Sequence, residues 1–117
     1  MENIHDKAQA REKVGGNADL AKELLGLLLK ELPTQKELIN NAYTENNSND
    51  FWEHVHKTHG STAYCGVPAL KDCAKQLEMA IKIDKSFPEM EAELTQLNKA
   101  IDDLLDIGET ELNSDWS

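Results

Sequence analysis

The sequence predicts an all-α protein, an antiparallel up-down four-helix bundle with a short additional N-terminal helix. Two observations lead to this prediction. Apolar residues recur three and four positions apart in several segments, the spacing that places side chains on one face of a helix. A period-two alternation of useful length, which would indicate strands, does not occur in the 117 residues. Several amphipathic helices joined by short turns must bury their apolar stripes against each other, which gives a bundle.

The first two elements are a short helix and a long, strongly apolar one. The short helix is predicted over Ile4–Val14 and ends at Gly15–Gly16. Asn17 or Asp19 then caps the long helix. Its apolar positions are Leu20, Leu24, Leu25, Leu27, Leu28 and Leu32. Pro33 is expected to kink or end this helix, because proline has no N–H to donate and its ring clashes with the preceding turn. The apolar pattern continues through Leu38, Ile39 and Ala42.

Two further helices follow a polar loop at Thr44–Asn49. Asp50–Glu53 has the spacing of a capping box, which predicts a helix that starts there and runs through His56 to about Tyr64. Pro68 suits the first turn of the next helix, where its missing N–H leaves no hydrogen bond unmade. The apolar positions of that helix are Leu70, Cys73, Ala74, Leu77 and Ile81.

The last helix has the most regular apolar pattern. Ser86–Glu89 forms a second capping box at its start. The apolar seam that follows consists of Phe87, Met90, Leu94, Leu97, Ile101 and Leu104. We therefore assign one helical domain to residues 1–108. Residues 109–117 are acidic and polar and are interpreted as a flexible tail.

Charge and composition argue against several classes of function. The formal net charge is −10, and phosphate binding needs clustered Lys and Arg, so nucleic acid is not an expected partner. No apolar run is long enough to cross a bilayer, and the first residues lack the pattern of a signal peptide, so membrane insertion is not expected. The two cysteines, Cys65 and Cys73, match no common zinc template and are expected to be buried thiols in a reducing cytoplasm.

Three of the four histidines lie in the segment His54–Thr62. Residues three apart on a helix are neighbours, so His56 and His59 share a face that His54 mostly does not. The core side of this helix is predicted to consist of Phe51, Val55, Thr58 and Thr62. His56 then points outward, where a neutral imidazole is a competent nucleophile near pH 7. Gly60 costs a helix about 1 kcal/mol relative to alanine, and the close approach of another protein would explain it.

The segment from His56 to Thr62, His-Lys-Thr-His-Gly-Ser-Thr, resembles the signature of histidine phosphotransfer (Hpt) domains, in which His-x-x-Lys/Arg-Gly precedes small residues. Gly66–Leu70 resembles the turn that follows this signature in the C-terminal Hpt domains of hybrid sensor kinases. The likeness is to the BarA/GacS type, in which a histidine can replace the basic residue. More loosely, it extends from about Asn17 to Leu105.

The resemblance implies roles for the matching residues. His56 would be the phosphoacceptor, and His59 would help to hold phosphoryl oxygens with a charge that depends on pH. Gly60 would leave space for the partner. The position of Lys57 beside His56, rather than the resemblance, suggests contact with phosphate or an acidic partner surface, although a lysine there is more often only a solvated charge. Glu78 stands where some relatives carry glutamine. Because a carboxylate repels a phosphoryl group, Glu78 is not expected to belong to the site.

The resemblance also implies a phosphorelay carrier of two-component signal transduction. The protein would accept a phosphoryl group from a receiver-domain aspartate of a hybrid sensor kinase and pass it to the receiver of a response regulator. No ATP-dependent kinase activity is expected, because the sequence has no Gly-rich nucleotide loop. No cofactor of its own is expected either, since Mg²⁺ would come with the receiver. The expected location is the cytoplasm, including the cytoplasmic C-terminal segment of a membrane-bound sensor kinase.

Two other classes of function stay open on the sequence alone. A metal-binding bundle would use His56 and His59, with His54 or Cys65 as further donors, although one helix favours ligands at i and i+3 or i+4. A plain interaction or dimerisation bundle would use the seam from Phe87 to Leu104. In that case replacing His56 would have no consequence.

Overall fold

The computed structural model describes residues 3–116, and this part of the chain forms five α-helices. They are α1 (Lys7–Lys13), α2 (Ala18–Thr44), α3 (Ser48–Ser61), α4 (Pro68–Lys82) and α5 (Glu91–Leu112), with a 3₁₀ turn at Pro88–Met90 before α5. The helices α2 to α5 form a ring in which each packs against the next and α5 returns to α2, while α1 lies on α2. The predicted all-α bundle with an additional N-terminal helix is confirmed.

Apolar side chains from all four long helices fill the centre of the bundle. Burying each of these side chains contributes roughly 1.5–3 kcal/mol to folding. The largest that are fully buried include Leu25, Leu32 and Ile39 of α2, Phe51 and Val55 of α3, Leu70 and Leu77 of α4, and Leu97, Ile101 and Leu104 of α5. The apolar seam of α5 is therefore buried within the bundle. It is not available as a surface for the dimerisation that we considered as an alternative.

Several helices differ from their predicted bounds. α1 begins at Lys7 rather than Ile4, because Asp6 caps it by accepting a hydrogen bond from the N–H of Gln9. Of the two outcomes expected at Pro33, a kink or an end of the helix, the end is wrong, because α2 continues through Pro33 to Thr44. Pro33 is exposed, so its ring lies on the solvent side, where water can satisfy the carbonyl that loses its helical partner. α3 begins at Ser48 rather than Asp50, because the side chain of Asn47 accepts a hydrogen bond of 3.1 Å from the N–H of Asp50 and caps the helix. It ends at Ser61.

Some residues predicted for the core lie nearer the surface. Leu20 and Leu27 are exposed, because the leucines of α2 cover more of its circumference than the bundle can bury. Cys73 is only half-buried, whereas Cys65 is buried as predicted. Burial and the nearby charge of Glu31 raise the pKa of the Cys65 thiol to about 11.

The C-terminal segment packs against the N-terminal one. The boundary predicted at residue 108 falls inside α5, which continues to Leu112, and Trp116 beyond it is buried. The Trp116 ring lies 5.1 Å from the ring of His5, and its indole N–H donates a 2.8 Å hydrogen bond to the carbonyl of Glu111. The Nδ1 of His5 is 2.7 Å from Oε1 of Glu111. The buried indole of Trp116, with its N–H hydrogen-bonded, thus anchors the segment that its polar composition led us to interpret as a flexible tail. Ser117 lies outside the described residues.

Gly66 allows α1 to lie against the turn between α3 and α4. Its φ angle is 63°, in the left-handed region that favours glycine. The N–H of Asp6 donates a 2.7 Å hydrogen bond to the carbonyl of Gly66. A Cβ on Gly66 would collide with the carbonyl oxygen of Asp6 and lie 2.8 Å from the Cβ of Ala10. Both the backbone conformation and the close contact therefore require glycine.

We expect Gly66→Ala to lower the free energy of unfolding by about 2–4 kcal/mol, because left-handed strain and the clash with α1 add together. Urea denaturation followed by circular dichroism measures the change. Gly60→Ala is the matched control, because Gly60 is a helical position where a Cβ meets nothing within 4 Å. It should keep or raise stability, by up to about 1 kcal/mol. Equal losses in both variants would contradict this explanation.

Candidate functional site

The buried face of α3 determines which of its histidines reaches solvent. Its core residues are those predicted, and each is at most 2% exposed: Phe51, Val55, Thr58 and Thr62. His56 projects from the opposite side, with 62% of its side chain exposed. His59, one turn later, is half-buried, with 27% of its side chain exposed. The structure thus gives His56 the outward position that the helical spacing predicts.

Glu78 of α4 lies between His56 and His59. Nδ1 of His56 is 3.2 Å from one carboxylate oxygen, Oε1, and Nδ1 of His59 is 2.6 Å from the other, Oε2. The Glu78 side chain is only 7% exposed, and Nζ of Lys82 is 3.4 Å from Oε1. A charged carboxylate is tolerated in such a position only when partners of this kind replace its water. We call the arrangement of Glu78 between His56 and His59 the carboxylate fork.

The carboxylate fork fixes which nitrogen of His56 is free. Burial favours a higher pKa for the Glu78 carboxyl, but hydrogen bonds from His59 and His56 outweigh it and hold the pKa below its usual value. Glu78 is therefore charged at neutral pH and can only accept hydrogen bonds, so Nδ1 of each neutral histidine is the donor. The lone pair of a neutral His56 is then on Nε2, the nitrogen that does not face the carboxylate.

The expectation that Glu78 lies outside the site is wrong in its geometry. The hydrogen-bond donors that surround this carboxylate, on His56, His59 and Lys82, offset its repulsion of a phosphoryl group. A signal was present in the sequence. Glu78 lies four residues after Ala74 and three before Ile81, so it falls beside the apolar positions of α4 and faces a neighbouring helix.

Trp52 is a second site residue that the sequence reasoning missed. Its ring stacks on that of His56, with a centroid distance of 5.1 Å and an interplanar angle of 15°. Nζ of Lys82 lies 5.7 Å from the centroid of the Trp52 ring. The signal was the i, i+4 spacing of an aromatic residue and a histidine on one helix.

The remaining predicted site residues lie on the open surface beside His56. Lys57 is exposed, and its backbone carbonyl accepts a 2.9 Å hydrogen bond from the hydroxyl of Ser61. Gly60 is also exposed, and apart from the backbone of its own helix a Cβ there would meet no atom of residues 3–116 within 4 Å. Nothing inside the described domain therefore requires glycine at position 60.

The metal-binding alternative gains no support from the structure. Among residues 3–116, no group of three or more His, Cys, Asp or Glu side chains is arranged to hold a metal ion. Nδ1 of both site histidines is directed to Glu78, and the thiol of Cys65 is directed to the backbone carbonyls of Leu24 and Ser61. No helix in this part of the chain is long and apolar enough to span a membrane.

Comparison with known proteins identifies the family of the chain. The family model described as "Hpt domain" matches residues 23–107, which include all four long helices in whole or in part and every residue of the site. The chain belongs to the Hpt domain family. The resemblance seen in the segment from His56 to Thr62 is thereby confirmed for most of the chain.

Individual relatives agree with this assignment. The Hpt domain is 34% identical over 98 residues to the sensor protein GacS of Pseudomonas syringae pv. syringae, covering 84% of this chain and 11% of that protein. It is 37% identical over 100 residues to the sensor histidine kinase GacS of Pseudomonas protegens, covering 84% and 10%. With the signal transduction histidine-protein kinase BarA of Escherichia coli K12 it shares 28% identity over 95 residues, covering 81% and 10%. The chain thus spans about a tenth of the length of these relatives.

A solved structure has the same fold. The crystal structure of the HPT domain from a sensor hybrid histidine kinase of Shewanella matches this Hpt domain with a TM-score of 0.88 and 26% sequence identity, over 93% of both chains. The match therefore extends beyond the 23–107 range of the family model.

The lowered pKa of Glu78 predicts a pH dependence of stability. The charged carboxylate stabilises the fold above the pKa of an unfolded glutamate, about 4.3, and this contribution is lost as pH falls through the lower folded-state pKa. We therefore expect the free energy of unfolding to fall as the pH decreases below about 4.3, and to fall less steeply in Glu78→Gln. Urea denaturation at a series of pH values measures both slopes.

Glu53→Gln is the matched control for this measurement, because Glu53 is an exposed carboxylate on α3. Its curve should run parallel to that of the wild type. A Glu78→Gln curve that is also parallel to the wild type would show that the carboxylate fork does not couple protonation to folding.

Proposed function

We propose that this Hpt domain carries a phosphoryl group on His56 between two receiver domains, one in a hybrid sensor kinase and one in a response regulator. The observation on which the proposal rests is the exposed imidazole of His56, whose Nδ1 faces Glu78 and whose Nε2 has no hydrogen-bond partner among residues 3–116. Similarity to the sensor kinases GacS and BarA supports the choice of partners. The proposed location is the cytoplasm, where the domain would act alone or as part of a larger kinase.

The first step is attack by Nε2 of His56 on the phosphorus of a receiver's aspartyl phosphate. A bond forms between nitrogen and phosphorus while the bond from phosphorus to the aspartate oxygen breaks, and its electron pair leaves with the carboxylate. The proton on Nδ1 stays in place, so the phosphorylated ring carries a positive charge. Glu78 lies against that proton and stabilises the charge.

The second step is the reverse reaction with another receiver. The aspartate carboxylate attacks phosphorus, and the bond from phosphorus to Nε2 breaks. Because Nδ1 keeps its proton, the leaving group is neutral imidazole rather than an imidazolate anion. One protonation state of His56, held by Glu78, therefore serves both the acceptance and the donation of the phosphoryl group.

Residues around His56 have supporting roles in this proposal. His59 lies beside the phosphoryl group and, when protonated, offsets part of its charge. Lys57 contacts phosphate or an acidic surface of the receiver, and Gly60 leaves the exposed face flat enough for the receiver to approach. The carboxylate of Glu78 is already hydrogen-bonded to two histidines, so it is not available as a ligand for Mg²⁺ beside His56. We assign Mg²⁺ and its ligands to the receiver.

The proposal predicts that His56→Gln abolishes phosphoryl acceptance. The test incubates the protein with a phosphorylated receiver and Mg²⁺ and follows label that is acid-labile and base-stable, as expected for phosphohistidine. The wild type should take up the label and His56→Gln should not. His54→Gln is the matched control, because His54 lies on the same helix without a bond to Glu78, and it should be labelled like the wild type.

The same assay separates the supporting residues from the acceptor. His59→Ala and Gly60→Leu should still be labelled, but more slowly. Persistent labelling of His56→Gln would move the phosphorylation site to another residue. A failure of the wild type to take label from any of several receivers would overturn the carrier role.

A further inference from the structure

Trp52 covers one face of the ring that the proposed function makes the phosphoacceptor. The two rings are nearly parallel, at 15°, and their centroids are 5.1 Å apart. His56 is otherwise largely open to solvent. We propose that Trp52 is a positioning residue that holds the His56 ring in the orientation needed for phosphoryl transfer. This inference rests on the proposed function, because it concerns the same site.

The hydrogen bond from His56 to Glu78 is the longer of the two that the carboxylate accepts from histidines. Its length is 3.2 Å, whereas the bond from His59 to the other oxygen is 2.6 Å. The carboxylate is also shared with Lys82, which lies 3.4 Å from the same oxygen as His56. His59 thus makes the shorter hydrogen bond to Glu78. To be held as firmly, His56 needs a second contact.

Stacking and hydrogen bonding restrain different motions of the ring. The Trp52 surface fixes the plane of the imidazole, which leaves two orientations related by a 180° rotation about the Cβ–Cγ bond. Only one of these directs Nδ1 at Glu78. Trp52 therefore selects the plane, Glu78 selects the orientation within it, and together they place Nε2 in one position.

Lys82 connects the aromatic ring to the carboxylate fork. Its ammonium lies 5.7 Å from the centroid of the Trp52 ring and 3.4 Å from Oε1 of Glu78. A cation near an aromatic face is attracted to it, so Lys82 restrains the indole on the same side of the site as the carboxylate. The aromatic surface also favours a positively charged partner, which is the form that His56 takes when it is phosphorylated with Nδ1 protonated.

The test compares Trp52→Leu, which keeps apolar bulk, with Trp52→Phe, which keeps an aromatic face. The rate constant for transfer from a phosphorylated receiver at saturating concentration should fall about three- to ten-fold in Trp52→Leu, the size expected for loss of one aromatic stack. It should stay within about two-fold of the wild type in Trp52→Phe. Trp116→Phe is the matched control at the other tryptophan and should not change the rate.

A second measurement reports on the ring itself. ¹⁵N NMR of the imidazoles in the unphosphorylated protein should show the His56 proton on Nδ1 in the wild type and in Trp52→Phe. In Trp52→Leu a larger fraction should carry it on Nε2, because a ring that leaves Glu78 is no longer held in the Nδ1–H form. Thermal unfolding confirms that each variant is folded, which we expect because Trp52 is only half-buried.

Unchanged transfer and an unchanged ¹⁵N spectrum in Trp52→Leu would overturn the proposal. So would slower transfer with an unchanged spectrum and no rescue by Trp52→Phe, because the residue would then act through contact with the receiver. If the wild type takes up no phosphoryl group at all, the proposed function fails. The ¹⁵N spectra then still decide whether Trp52 positions His56.

Discussion

The buried carboxylate of Glu78 is the constraint on which the geometry of the site depends. A carboxylate that is 7% exposed must find donors inside the protein, and it finds them in two histidines of α3 and one lysine of its own helix. Its lowered pKa keeps it charged, so it accepts hydrogen bonds from both imidazoles rather than donating one. The reactive nitrogen of His56 is thereby defined by a residue on a different helix.

The bundle makes this contact possible by placing α3 and α4 side by side. The buried face of α3 turns His56 and His59 toward the side where α4 lies. The left-handed turn at Gly66, held by Asp6, brings the chain back so that Glu78 faces the two histidines. Packing in the core thus determines the position of an exposed nucleophile, although none of the core residues touches the phosphoryl group in the proposed reaction.

Much of the fold could be predicted from the sequence because it follows from local patterns. The three-four spacing predicted the helices, and the spacing of the apolar residues around His56 predicted which side of α3 is buried. Pro68 was correctly assigned to the first turn of α4. The helix at Pro33 was predicted less well, because whether proline ends a helix depends on which side of it faces solvent.

The site was predicted in part. His56 and His59 share a face by helical geometry alone, and the structure brings them together at Glu78. The contacts of Glu78 could not be predicted from helical spacing. They join residues of α3 and α4, and the relative position of these two helices depends on the turn between them. Trp52 lies one turn from His56, but stacking depends on side-chain orientations that the spacing does not fix.

The most direct test of the central claim is to determine which nitrogen of His56 carries phosphorus. The Hpt domain, labelled with ¹⁵N in its imidazoles, would be phosphorylated by a receiver and examined by NMR for coupling between nitrogen and ³¹P. With Nδ1 held by Glu78, phosphorus should be attached to Nε2 and the proton should remain on Nδ1. Phosphorus on Nδ1 would mean that His56 leaves the carboxylate fork in order to react, and would contradict the role assigned to Glu78.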